Sequence, residues 1–320
     1  MSYLDPNTAL KRPVANARQG RAARTQSLRS LKHKEALLAY LFLAPSLVLF
    51  TIFLFYPLVK SVYLSLHLTD PRGRIAAYAG LDNFKELFAS DLFYQSLGVT
   101  LGFTALTVPT GIALALLLAA LTHQKLRGMK TFRFIFSLPL AISVGTGSVI
   151  WMMLFHPSLG TLNYMLTRIG MEPVQWLTDP AWALISISIM TIWMNLGFNY
   201  IVLLSGIQGV PEEIYDSAKI DGSGPLRTFF GITLPLISPT LFFTAVVSII
   251  GAFQSFGPIH ILTKGGPANS TNVIVFNIYR DAFVNYNFGI GSAQALVLFV
   301  IILLLTLIQF RFFERKVHYQ

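Results

Sequence analysis

Long charge-free stretches alternate with short polar ones along this chain. Between consecutive Asp, Glu, Lys or Arg residues lie windows 36–59, 92–124, 134–167, 180–211, 228–263 and 282–310. Each exceeds the roughly 20 residues a helix needs to cross a hydrocarbon core of about 30 Å. A charged side chain at a helix centre costs about 2.5–3.5 kcal/mol on insertion, so six empty windows predict six transmembrane helices. The spans are expected near 37–58, 96–121, 134–155, 182–205, 238–258 and 292–310. One polar stretch interrupts the second half, residues 211–235, PEEIYDSAKIDGSGPLRTFFGITLP. It holds Glu212, Glu213, Asp216, Lys219, Asp221 and Arg227. Pro211 suits the first position of a short helix, where its missing N–H costs nothing. Glu212 and Glu213 suit its positive end, and Gly222 its left-handed stop. Pro225 starts the next helical piece.

Composition changes the picture only by excluding soluble classes. The chain is 54% hydrophobic and 12% charged, against about 25% charged in a soluble domain. With no cysteine there is no disulfide, thiol nucleophile or cysteine metal site. The net charge of +10 is concentrated: residues up to Lys34 carry eight basic side chains against Asp5. The positive-inside rule accounts for this without nucleic acid. Placing the N-terminus in the cytosol puts 17 of the 24 basic residues on cytosolic segments, with both termini inside. Residues 1–35 read as a disordered basic tail. The apolar run that follows reaches full spanning length, so it reads as an anchor and not a signal peptide.

Several positions carry candidate chemistry beside a plainer reading. In GLDNFKELF, Asp82 is expected to cap a short helix with an apolar stripe of Phe84, Leu87 and Phe88, lying on the membrane surface or serving as a connector. Pro109, Gly111, Ser137, Pro139, Ser143, Gly145 and Gly147 read as close helix packing and a permitted kink. Trp151, Trp176 and Trp182 are expected in interfacial belts. Asn195 and Asn199, four apart on one helix face with Tyr200 beside them, and Ser248, Gln254 and Ser255 mark either interhelical hydrogen bonds or a wet substrate path. Thr263 to Pro267 forms a tight outer turn. The aromatics Phe276, Tyr279, Phe283, Tyr286 and Phe288 read as an interfacial helix or a docking surface for an external protein.

No GxxxxGK[ST], HExxH or GxSxG motif occurs, and the six histidines are scattered. Neither a catalytic constellation nor a nucleotide site is present, so uphill transport needs a partner or an ion gradient. An ion-coupled transporter is expected to carry intramembrane Asp or Glu and inverted repeats; neither is seen. A structural anchor has no use for the polar loop.

The run Asp216-Ser217-Ala218-Lys219-Ile220-Asp221-Gly222-Ser223, followed by Phe230, Ile232 and Leu234-Pro235, resembles the EAA loop of ATP-binding-cassette (ABC) importer permeases. Its usual form is E-A-A-x-x-D-G-A with a later I-x-L-P. Asp216 stands for the glutamate, and Ser217 and Ser223 replace alanines, with charge and small size kept. YPLVKSVYLSL, GLDNF, LTKGGP and the Tyr279-Arg280 region are similar to the first permease of carbohydrate importers of the maltose-type class. LTDPRG, IDGSGPLRTFFGITLPLISP and the ending QFRFFERKVHYQ are most like the sn-glycerol-3-phosphate importers within it.

The resemblance covers about residues 37–320 and implies an all-α, six-helix, type I (MetI-like) permease. The tail would occupy 1–35, the first helix 36–66 and a five-helix core 67–320, with the cytosolic coupling loop at 206–236. It implies docking to an ATPase through Glu213, Tyr215, Asp216, Ser217, Ala218, Asp221 and Gly222. It also implies a second homologous permease, a dimer of ATPase subunits that bind ATP-Mg, an external solute-binding protein, and no cofactor or enzyme activity in this chain. The substrate path is then expected on Asn195, Asn199, Ser248, Gln254 and Ser255, chosen by region and polarity. Spans four to six carry no Lys or Arg. The phosphate is therefore read by the binding protein or the partner permease, or the cargo is a neutral sugar.

Overall fold

The computed structural model describes residues 38–70, 72–123 and 126–313. The basic tail, Lys125 and the ending beyond Phe313 lie outside them. The chain divides into two compact units, Met1–Lys60 and Ser61–Gln320. The first is helical from Leu38, with a π-helical turn at Thr51–Phe55. Helix α1 (Leu38–Ser65) is long and apolar enough to cross a membrane, with a mean hydropathy of 2.3.

The second unit opens with an antiparallel hairpin, β1 (His67–Thr69) and β2 (Ile75–Tyr78), with His67 opposite Tyr78. The Asp70 carboxylate accepts the backbone N–H groups of Arg72 and Arg74 and closes its turn. Helix α2 (Asp82–Ala89) follows. Its cap is Leu81, and Asp82 sits one position inside, where its side chain bonds Lys85 instead. The buried face is Asn83 and Leu87, not an apolar stripe, and Phe88 is exposed. Asn83 explains the difference: its amide donates to the Ser65 and His67 carbonyls and turns that face inward.

Four further helices have spanning length and composition: α3 (Asp91–Thr122), α7 (Pro180–Gln208), the stretch Ser238–Leu262, and α13 (Phe288–Phe313). Residues 134–155, expected as one span, are broken. Helix α4 (Met129–Ser137) and a 3-10 turn (Leu138–Ala141) meet α5 (Val144–Leu154) at 104°. The Ser143 hydroxyl caps α5 by accepting the Thr146 N–H. Counted as one bent span, the pair brings the total among the described residues to six. Helix α6 (Thr161–Arg168) follows it.

Helix α7 is central, with 56% of its most apolar window buried against 28% for α3. It is apolar nearly all round, the pattern of a helix enclosed by neighbours. Ala115 and Ala119 of α3 meet Leu196, Tyr200 and Leu203 of α7. The Tyr200 hydroxyl lies 2.6 Å from that of Thr122. Arg133 donates to the carbonyls of Thr122 and His123, a cation at the negative end of α3. The Ser238–Leu262 stretch is interrupted: α10 (Ser238–Phe253) stops at Gln254, and α11 (Gly257–Leu262) begins after Phe256. A second cluster joins Phe103, Phe155, Ile187, Met190 and Ile259.

Trp176 belongs to that cluster, only 9% exposed, and not to an interfacial belt; Trp151 packs against it. Its indole N–H donates to Asn163 Oδ1 at 2.8 Å. Asn163 also accepts the Val174 N–H and donates to the carbonyls of Pro157 and Val174. Asn163→Ala leaves these groups without their partner, and one such loss costs about 1–3 kcal/mol. A fall in the thermal unfolding temperature of the purified protein is the expected result.

Candidate functional site

The polar loop folds as two short helices against the bundle. Helix α8 (Glu212–Ile220) starts one residue later than expected, because Pro211 takes the N-cap place with ψ 137°. Its end is a Schellman turn. The Ser223 N–H reaches the Ala218 carbonyl at 2.9 Å and the Gly222 N–H that of Lys219 at 3.0 Å. Gly222 has φ +73°, the left-handed region that a side chain disfavours. Helix α9 (Pro225–Thr228) begins at proline as expected, followed by a π-helical turn (Phe229–Thr233).

The loop residues sort by face. Ala218 is buried. Tyr215 is half-buried: its hydroxyl accepts from Thr233 at 3.3 Å and its ring lies 5.5 Å from that of His123. These two anchor α8. Glu213, Asp216, Ser217, Asp221 and Gly222 are exposed. Lys219 donates to Asp216 at 2.9 Å, and that hydrogen bond holds its ammonium above the usual range. Between α8, the π turn and the C-terminal end of α3 lies a cavity of about 700 Å³, lined by Leu117, Ala120, Leu121, Tyr215 and Phe229 among others.

Sequence reasoning missed the apolar part of this surface. Ile220 is 86%, Leu226 74% and Phe230 63% exposed. Large apolar side chains left exposed on a polar loop are a common feature of interaction sites. Their signal was present, since Ile220 lies in the last turn of α8 and Leu226 just after the stop, where neither can reach the core.

The five path candidates divide. The Ser248 hydroxyl donates to Asn199 Oδ1 at 3.3 Å, joining α10 to α7. Asn199 is only 3% exposed. A Cβ on Gly111 of α3 would stand 3.8 Å from its Nδ2, so three helices meet at this amide. Asn195, one turn away, is exposed, so the two asparagines differ in setting despite their spacing. Gln254 is exposed and Ser255 half-buried, both at the break between α10 and α11. At the same break Phe256 stacks on His260, 5.0 Å between centroids, and lies 5.0 Å from Tyr279.

Tyr279 ends α12 (Ile274–Tyr279). The outer aromatics are therefore not one surface. Phe276 is buried in the core, whereas Phe283 and Tyr286 are exposed. After Tyr279 a π turn (Arg280–Val284) carries a polar group. Arg280 donates to Asn277 Oδ1 at 2.8 Å and Asn269 Oδ1 at 3.3 Å. Asn277 in turn donates to Asp281 Oδ2 at 3.3 Å, and Asn285 to Asp281 Oδ1 at 3.1 Å. Burial pushes the Asp281 carboxyl above the usual carboxylate range. Among the described residues no cluster of metal-ligating side chains occurs.

Residues 107–319 match the model of the binding-protein-dependent transport system inner membrane component. The sn-glycerol-3-phosphate transport system permease protein of Agrobacterium fabrum is 36% identical over 91% of this chain and 100% of its own. A chain of a bacterial ABC transporter involved in import of the acidic polysaccharide alginate is 28% identical, with TM-score 0.79 over 90% of this chain and 99% of that one. A chain of a bacterial alginate ABC transporter, solved in complex with an alginate pentasaccharide-bound periplasmic protein, gives TM-score 0.78 at 28% identity over 88% of this chain and 96% of that one. A match over most of the length, on a multi-pass helical frame interrupted by one docked polar loop, leaves a single assignment. The chain belongs to the binding-protein-dependent transport system inner membrane components, as a non-catalytic permease subunit of an ABC importer.

Proposed function

We propose that this chain forms one half of the membrane path of an importer for sn-glycerol-3-phosphate or a related polyol phosphate. A second, homologous permease supplies the other half. A dimer of ATPase subunits binds ATP-Mg and docks on Glu213, Tyr215, Asp216, Ser217, Ala218, Asp221 and Gly222. An external solute-binding protein delivers the cargo. Both termini and the loop 206–236 face the cytosol, the side on which 17 of 24 basic residues then lie.

One observation carries the coupling part: α8 is anchored inward by Tyr215 and Ala218 and locked at its end by Gly222, while Glu213, Asp216, Asp221 and Ile220 are exposed. A short helix held on one side and exposed on the other transmits a push. The substrate rests on the Agrobacterium relative, and the cargo named for the alginate relatives is also an anion. The absence of Lys and Arg from spans four to six favours a second reading, a neutral sugar moved by the same machinery.

Uptake of labelled sn-glycerol-3-phosphate, with and without this gene and with labelled maltose as control, separates the two. Loss of glycerol-3-phosphate uptake alone is expected. Unchanged uptake, with redundant carriers removed, makes a neutral sugar the cargo. Asn199 and Ser248 are inferred to line or brace the path. Asn199→Leu leaves the Ser248 hydroxyl without its acceptor, at about 1–3 kcal/mol. It is expected to lower transport rate without loss of membrane insertion.

A further inference from the structure

We propose that Arg280 is the cation that reads the anionic group of the cargo as it enters the path. The inference rests on the phosphate-cargo reading above and adds the residue that recognises the charge. Spans four to six lack a basic side chain, so a cation supplied by this chain comes from a connecting segment. Arg280 follows Tyr279, whose ring contacts Phe256, the residue after Ser255 at the break of the fifth span. Arg280 is therefore the chain neighbour of a residue whose ring touches the break of the fifth span.

The surroundings of Arg280 suit an incoming anion. The side chain is half-buried, a costly setting for a charge without an opposite charge. Its hydrogen-bond partners are two neutral amides, Asn269 and Asn277, and among the described residues it makes no ion pair. Asp281, next in sequence, is an opposite charge that acts on Arg280 without an ion-pair contact, and Asn277 bridges the two by bonding each. Of the five N–H donors of a guanidinium, these contacts leave others for oxygen atoms, and the planar fork matches a phosphate or carboxylate. One buried hydroxyl on the adjoining segment, Ser270 Oγ, also has no partner and is able to donate. The amides hold the fork in place before the anion arrives, which spares the cost of ordering it.

The test uses the assembled importer in proteoliposomes, with its binding protein loaded with labelled sn-glycerol-3-phosphate. Cargo moved per ATP hydrolysed and hydrolysis stimulated by the binding protein are both measured. No uptake by the unaltered importer overturns the cargo reading itself. Given uptake, Arg280→Gln is expected to lower cargo per ATP by about 10-fold or more, the scale of one charge-assisted hydrogen bond. Stimulated hydrolysis is expected to stay. Arg280→Lys keeps the charge but not the fork and is expected to fall between. Unchanged cargo per ATP overturns the inference. So does loss of stimulated hydrolysis along with uptake, because Arg280 would then dock the binding protein. If Arg280→Gln fails to assemble, the lysine variant decides: a fall supports the role and an unchanged ratio overturns it.

Discussion

Gly222→Pro is expected to leave the chain inserted in the membrane while uptake falls and ATP hydrolysis by the partner continues. Proline holds φ near −65°, and Gly222 stands at +73°. The substitution also deletes the N–H that bonds the Lys219 carbonyl, and it displaces the Ser223 N–H from that of Ala218. Two hydrogen bonds at about 1 kcal/mol each and the lost left-handed turn together unlatch the end of α8. A Cβ at Gly222 meets nothing within 4 Å, so the effect is one of backbone conformation and not of crowding. The series is therefore graded. Gly222→Asn is expected to be mild, since asparagine tolerates this region, Gly222→Ala intermediate at about 1–2 kcal/mol, and Gly222→Pro severe. Asp216→Lys tests the exposed face instead, reversing its charge without touching the stop. Uptake and ATP hydrolysis measured together check both, and normal uptake in both variants removes the lever role from α8.

The second large effect lies in the bundle. Gly197→Ala is expected to destabilise the permease although it adds one methyl group. The new Cβ would stand 2.8 Å from the Leu140 amide nitrogen and 2.9 Å from the Ser137 carbonyl oxygen. Both belong to backbone at the knee of the bent span, so no side-chain rotation relieves the contact. Overpacking of this kind costs about 1–3 kcal/mol, at times more. Gly206 supplies the contrast. Its added Cβ would meet the side chain of Thr240 at 2.8 Å, and shortening that side chain makes room. Thr240→Ala is thus expected to relieve Gly206→Ala in part, removing the 2.8 and 2.9 Å contacts and leaving the Thr240 Cβ at 3.0 Å, while no single side-chain truncation removes the backbone contacts of Gly197→Ala. Thermal unfolding of the purified protein measures both.

These cases show what the chain reveals when read alone. The spans were legible because the absence of charge is decided residue by residue, and a membrane tolerates few exceptions. The stop at Gly222 and the start at Pro225 were legible for a similar reason, since each residue has few conformations to choose from. The knee at 138–143 was not. Pro139, Ser143 and Gly145 permit a bend, but its angle depends on how closely α7 approaches at Gly197, a contact 50 or more residues away in sequence. The same limit applies to Asn195 and Asn199. Helical spacing puts them on one side of α7, but only the neighbouring α3 and α10 decide which is enclosed. Trp176 was placed by its nearness to a span end, yet it sits in a turn, buried by a cluster that includes Phe155 and hydrogen-bonded to Asn163 of α6. Arg280 was visible as a charge, but its amide holders come from two separate segments.

The hollow of about 700 Å³ between α8 and the C-terminal end of α3 has a mechanical consequence. Well-packed interiors hardly compress and pass strain on directly. A helix resting over a hollow can instead tilt without first displacing core side chains, so its stiffness is set by its two anchors, Tyr215 and Ala218.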